Sequence, residues 1–362
     1  MRETLTHLTS FELFLLLSAL KVAVVLVLLL LAVAYTVLLE RKLLGHIQNR
    51  WGPSRVGPFG LLQPLVDGAK LFLKEDMMPL AVERPLFLLA PIIALGCALI
   101  SMAVVPFGAV TRVSLHGGPG VDLFQIANVN IGLLVVLGVT SIGVYGIALS
   151  GWSSNNKYSL LGSLRSTAQV ISYELALGLS LVGVVLRAQS LNLRTIVASQ
   201  TAHGMISWNI FGGLQIVAFF IYLMAAFAET NRAPFDLPEA ENELVAGYHT
   251  EYSSMKFAMF FMAEYANMIT VSCVATLLFL GGSTSPFGSL FDGLLNTPVW
   301  NAIFPVCWFM VKVFGFLALY IWVRGTLPRL RYDQLMGFGW KFLLPLAMAN
   351  IIATSLILAV RG

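Results

Sequence analysis

The chain has 362 residues, of which 58% are hydrophobic and 11% charged, with a mean hydropathy of +0.83. A soluble domain carries about 25% charged residues, so this composition cannot build a water-facing surface of ordinary polarity. That excludes a soluble enzyme and a disordered chain, and three cysteines are too few for a disulfide scaffold. What remains is an all-α polytopic membrane protein, read as one membrane domain over residues 1–362.

Eight tracts are long and apolar enough to cross a bilayer as helices, at about 20 residues each. They cover roughly residues 14–39, 85–107, 130–149, 166–186, 208–228, 257–280, 299–323 and 342–360. They are continuous rather than alternating in polarity, which favours helices over a β-barrel. The loops after the first, third, fifth and seventh tracts hold 15 Lys and Arg, against five on the opposite side. The positive-inside rule therefore puts those loops in the cytoplasm and both termini on the outer side.

The first cytoplasmic loop, read as Glu40 to Glu83, opens with Glu40-Arg41-Lys42 and continues into Arg50-Trp51-Gly52-Pro53, where Gly and Pro impose turns. From Leu61 the apolar residues recur at helical spacing while Asp67, Lys70 and Lys74 share another face. This predicts an amphipathic helix on the membrane surface, with Asp67 and Lys70 able to form a weak surface ion pair. The loop after the fifth tract is the most unusual. Six acids, Glu229, Asp236, Glu239, Glu241, Glu243 and Glu251, accompany a single arginine, Arg232, and Phe235 and two prolines are interleaved with them. A solvated acidic loop is one reading. The wall of a polar chamber is the other, and there crowded carboxylates would bind protons near neutrality.

Glu174 and Glu264 each stand alone inside an apolar tract, where a charge costs at least about 2.5 kcal/mol and implies a function or a partner. The tracts place them at similar depth, near the cytoplasmic ends marked by Glu40 and Glu229. Such a layer can pass protons sideways. The alternative is structural pairing, with Tyr173, Arg165 or Lys312 as candidate partners. Cys97, Cys273 and Cys307 lie in apolar tracts without metal-site spacing, and the five histidines are scattered, so no metal site is expected. Lys21 and Lys312 receive no role, and the first dozen residues carry no readable pattern.

Several motifs together resemble one family. They are Glu40-Arg41-Lys42, Asn49 to Pro53, Gly151 to Tyr158, Ser172-Tyr173-Glu174, Glu229 to Glu241 with its continuation through Tyr252, and Pro328 to Met336. The chain resembles the H subunit of bacterial respiratory complex I, called NADH dehydrogenase subunit 1 in mitochondria, over essentially its whole length. The resemblance implies the membrane subunit of a proton-pumping NADH:quinone oxidoreductase in the bacterial inner membrane, with no redox centre of its own. Quinone is the implied substrate. NAD, FMN and iron–sulfur clusters belong to partner subunits, which include the peripheral-arm, small membrane and antiporter-like subunits. Residue by residue, it assigns Glu40, Arg41, Arg50, Asp67, Phe235, Asp236, Glu239, Glu241 and Glu243 to the quinone chamber. Glu174, Glu229 and Glu264 fall on the proton path, and Arg329 and Arg331 lie near the peripheral arm. Two rival readings are a self-contained ion transporter and the membrane subunit of a related hydrogenase or other-donor oxidoreductase.

Overall fold

The computed structural model describes residues 10–113, 121–201, 204–236, 246–287 and 298–361. The helices in chain order are α1 (Ser10–Ile47), α2 (Gln63–Leu73), α3 (Arg84–Ser101), α4 (Gly132–Ser153), α5 (Lys157–Ala188), the short α6 (Leu193–Ala198), α7 (Gln215–Glu229), α8 (Ser254–Phe279), α9 (Pro298–Thr326), α10 (Tyr332–Phe338) and α11 (Leu344–Arg361). A π turn, Gly339–Leu343, joins α10 to α11 into one apolar run. Seven runs among the described residues are long and apolar enough to cross a membrane, which agrees with an all-α multi-pass protein. The described residues add only a two-residue antiparallel ribbon, β1 (Arg112–Val113) and β2 (Val121–Asp122).

Three boundaries differ from the hydropathy reading, each for a local reason. Helix α1 does not stop at Leu39: it runs on through Glu40 and Arg41 to Ile47, so both charges are helical rather than part of a loop. The fifth tract is helical only as α7, whose 15 residues span roughly 22 Å, short of the ~30 Å hydrocarbon core. Its first part, from Trp208, is a 3₁₀ turn that ends at Gly212-Gly213, and Gly213 sits at φ +74°, where a helix cannot continue. Helix α5 is 32 residues long and begins at Lys157, so Arg165 also lies within it. Its start is fixed by Asn156, whose side chain accepts from the Tyr158 amide at 3.0 Å.

Helix α8 is the axis of the bundle. Every residue from Met268 to Phe279 is buried, as expected for a helix that is apolar on all sides. Helix α3 packs against both α8 and α4, and α5 against α4, α7 and α11. Small residues let these helices approach. A Cβ added at Gly146 of α4 would lie 2.9 Å from both the Ala90 carbonyl and the Ala94 Cβ of α3. Gly146→Leu is therefore expected to cost about 1–3 kcal/mol by overpacking. The check is the thermal midpoint of the detergent-extracted assembly, and an unchanged midpoint would contradict this close crossing.

Candidate functional site: a buried charge cluster

The site starts where α7 ends. Thr230 closes the helix, and Asn231 takes a left-handed backbone (φ 49°), which turns the chain back into the protein. Gln169 of α5 then fixes the turn, its Nε2 donating to the Ala228 carbonyl at 2.9 Å and the Phe235 carbonyl at 2.7 Å. Phe235 is buried against Tyr173, ring centroids 5.6 Å apart, and the Leu330 amide donates to the Pro234 carbonyl at 3.1 Å. The described start of the acidic loop is thus buried between α5 and the α9–α10 connection, not solvated. Glu239, Glu241 and Glu243 lie outside the described residues.

This path delivers Arg232 into the bundle, 5% exposed, between carboxylates of two helices. Its Nη1 donates to both oxygens of Glu40 on α1 at 3.2 Å, and its Nε lies 2.6 Å from Oε1 of Glu264 on α8. Its guanidinium also sits over the Tyr265 ring, 4.2 Å from the centroid, while the Tyr265 hydroxyl donates to Glu40 Oε2 at 2.6 Å. Arg324, in the last turn of α9, forms an ion pair with the other Glu40 oxygen. Burial works against the Arg232 charge, but Glu264, Tyr265 and Glu40 outweigh it and hold the guanidinium above its ordinary pKa.

Two further groups flank this core. Asp236 accepts from Arg329 Nη2 at 3.0 Å, and its Oδ1 has no protein partner. Burial pushes the Asp236 carboxyl upward, and Arg329 and Arg324 pull it back only in part. On the other side, Glu229 and Glu264 line a common cavity of ≈ 50 Å³ together with Thr140, Asn231 and Asn267. That is room for a few waters, since one needs roughly 10–15 Å³, and Glu229 Oε2 and Asn267 Oδ1 are buried there without protein partners. Glu174 receives a hydrogen bond from Ser141 and lies close enough to Glu229 for the two carboxylates to repel.

The structure therefore gathers Glu40, Asp236 and Glu264 around Arg232 and Arg324, with Glu229 sharing a small cavity with Glu264 and Glu174 next to Glu229. The other predicted positions lie elsewhere. Arg41 turns outward to pair with Asp67 at 2.7 Å, tying α1 to the amphipathic helix α2, and Gln63 also donates to Asp67. Asp67 is thus bonded across elements rather than to Lys70. Arg50 is exposed and donates to Gln48. Two of the pairing partners expected for Glu174 and Glu264 are also corrected: Tyr173 donates to the Leu335 carbonyl, and Lys312 to three carbonyls beyond α8. Arg232, Arg324, Tyr265 and Asn267 carry no assignment from sequence. For Arg232 a signal existed, since it is the lone base among six acids.

With this geometry in place, comparison with known proteins decides the family. A family model described as NADH dehydrogenase matches residues 20–355. The chain belongs to this family. It is 61% identical to an NADH-quinone oxidoreductase H subunit of Koribacter versatilis (strain Ellin345), covering 97% of this chain and 99% of that protein. It is 50% identical to an NADH-quinone oxidoreductase H subunit of Geobacter sulfurreducens over 94% of this chain and 95% of that protein, and 51% identical to the corresponding protein of Leptospira biflexa over 90% of each. The NADH dehydrogenase membership agrees with what the motifs at Glu40 and Glu229 imply.

Two outcomes follow for this family member. Arg232→Met leaves Glu40 and Glu264 facing each other with half their compensation gone, and is expected to destabilise the protein by about 3–5 kcal/mol; Arg232→Lys should recover part of the loss. Thermal unfolding of the extracted complex measures both, and a neutral Arg232→Met would dissolve the cluster's structural role. The second concerns His249, between Tyr248 and Phe257, whose ring burial pushes down to about 4. An unfolded His takes its proton near pH 6.5, so stability should fall as the pH drops from about 6.5 to about 4. His249→Phe should flatten that slope, read as thermal midpoint against pH.

Proposed function

We propose that this chain is the membrane subunit of a proton-pumping NADH:quinone oxidoreductase that forms the quinone chamber and links quinone reduction to proton movement through its buried carboxylates. The observation that carries the reading is the bridge Glu40–Arg232–Glu264 beside the partnerless Glu229 oxygen. The names of the relatives support the enzyme class and favour it over a hydrogenase component or a free-standing transporter. The positive-inside count puts the cluster on the cytoplasmic side and both termini outside.

The chemistry runs as follows. Two-electron reduction of a quinone builds negative charge in a low-dielectric chamber, where charges about 4 Å apart interact by about 4 kcal/mol at an effective dielectric of 20. The acids that the family resemblance assigns to the chamber, Asp236 with Glu239, Glu241 and Glu243, answer first by taking protons. Once Asp236 is neutral, Arg324 loses part of its compensation and draws more strongly on Glu40. Arg232 is shared between Glu40 and Glu264, so a stronger Arg324–Glu40 pair frees it toward Glu264. That favours the charged form of Glu264, which repels charge on Glu229 across their common cavity, and Glu229 in turn acts on the neighbouring Glu174. A proton is thereby moved sideways rather than across. The amphipathic helix α2, tied to α1 by Arg41–Asp67, borders the entrance for the quinone tail.

Glu264→Gln and Glu229→Gln preserve shape while removing the charge. Each is expected to lower NADH:quinone turnover and coupled pumping by about a hundredfold or more, the usual effect of losing a proton-transfer group. NADH oxidation by an artificial acceptor, which bypasses the quinone, should stay normal. Vesicles in which both variants pump at the wild-type rate would overturn the reading.

A further inference from the structure

Helix α2 is kept on the bundle by polar bonds rather than by burial. The positions it turns toward the protein are Gln63, Pro64, Asp67 and Leu71, at helical spacing, and none is fully buried. Leu65, Val66, Phe72 and Leu73 stay exposed and are left for lipid. One fastening is the Asp67–Arg41 pair with α1. The other lies at the C-terminal end of α2 and comes from the first turn of α8. There the Ser254 hydroxyl shares its proton between the carbonyls of Leu71 at 3.0 Å and Lys74 at 2.9 Å, acceptors that a helix end leaves open. The Met77 amide donates to Ser253 Oγ at 3.0 Å, and Lys256 pairs with Asp76 at 2.8 Å.

The α8 side of this clasp is braced from behind. Tyr252 stacks on Phe87 of α3, ring centroids 4.0 Å apart, and its hydroxyl donates to the Phe87 carbonyl at 3.2 Å. Glu251 accepts from Asn156, the cap of α5, at 2.6 Å. Ser254 itself takes a left-handed backbone (φ 53°), which disfavours a residue with a Cβ and persists where the surroundings fix it. Helix α2 therefore bridges α1 and α8, the same two helices whose carboxylates share Arg232. An entrance bordered by α2 is framed by the helices it bridges.

We propose that Ser253, Ser254 and Lys256 are positioning residues of quinone entry. They hold the end of α2 and residues 74–77 against α8, and so set the opening through which a quinone tail is threaded. A bound quinone whose tail outreaches the chamber stays in that opening, whereas a short-tailed one clears it. This inference rests on the quinone-chamber reading above. Its test is the steady-state kinetics of the whole complex in vesicles, with a long isoprenoid quinone and a short-tailed one. Ser254→Ala keeps the backbone demand and removes the hydroxyl. It should raise KM for the long-tailed quinone about fivefold, the change that losing a hydrogen bond of ~1 kcal/mol produces. The KM for the short-tailed quinone and both kcat values should hold, whereas a general loosening of the chamber would move them too. Asp76→Lys, at an exposed position, sets two ammonium groups against each other and should act like Ser254→Ala. It decides the matter if Ser254→Ala does not assemble, and Asp76→Glu should return KM toward wild type. An unchanged long-tail KM in Asp76→Lys or in assembled Ser254→Ala would overturn the clasp, as would equal shifts for the two quinones. The underlying reading registers separately, through a photoreactive long-tailed quinone applied to the wild-type complex. No label on this chain would overturn the chamber itself, while label with unchanged KM values would overturn the clasp alone.

Discussion

The sharing of one guanidinium between two helices organises this protein. Arg232 holds Glu40 of α1 and Glu264 of α8 at once, and it reaches them because the chain after α7 folds inward instead of continuing into solvent. Buried ion pairs rarely add net stability, since desolvation consumes most of the Coulomb gain. Arg232, Glu40 and Glu264 would pack more cheaply as apolar side chains. A cost of this kind at the centre of a membrane bundle is reasonable where the charges must respond to something.

The same sharing explains why the local backbone is irregular. Helix α7 is too short to cross the hydrocarbon core, and Gly212 and Gly213 end its predicted first part. Non-helical backbone at membrane depth is tolerated only where protein or a polar cavity satisfies it. Gln169 and the Leu330 amide do this on one side of the turn, and the cavity of Glu229, Asn231 and Asn267 lies on the other. The break that shortens α7 and the turn that buries Arg232 thus lie at the two ends of a single helix.

Most helices were legible in the sequence because hydropathy reports directly on burial in lipid. The positions of Glu174 and Glu264 stood out for the same reason: a lone acid in an apolar tract has few explanations. The pairing was not legible. Arg232 and Tyr265 are 192 and 225 residues from Glu40, and Arg324 is 284 residues away, so no local period connects them. Hydropathy also failed at Glu40. It drops where charges begin, whereas the α1 backbone runs on because its charges find partners, Glu40 inward to Arg232 and Arg41 outward to Asp67. Adjacent residues on one helix thereby take opposite duties, which composition at the membrane boundary cannot separate.

Lys21 and Lys312 remained unread in the sequence for a related reason. A lysine in an apolar tract suggests a missing carboxylate, yet both ammonium groups are met by backbone carbonyls. Lys21 donates to those of Asp122, Gln125 and Ile126, and Lys312 to those of Leu280, Gly282 and Thr284. Carbonyls satisfy the hydrogen-bonding need of a cation without cancelling its charge. Lysine against carbonyl at one end of α8, and arginine against glutamate at the other, therefore differ in kind: the first is a cation met by backbone alone, the second a cation shared between acids.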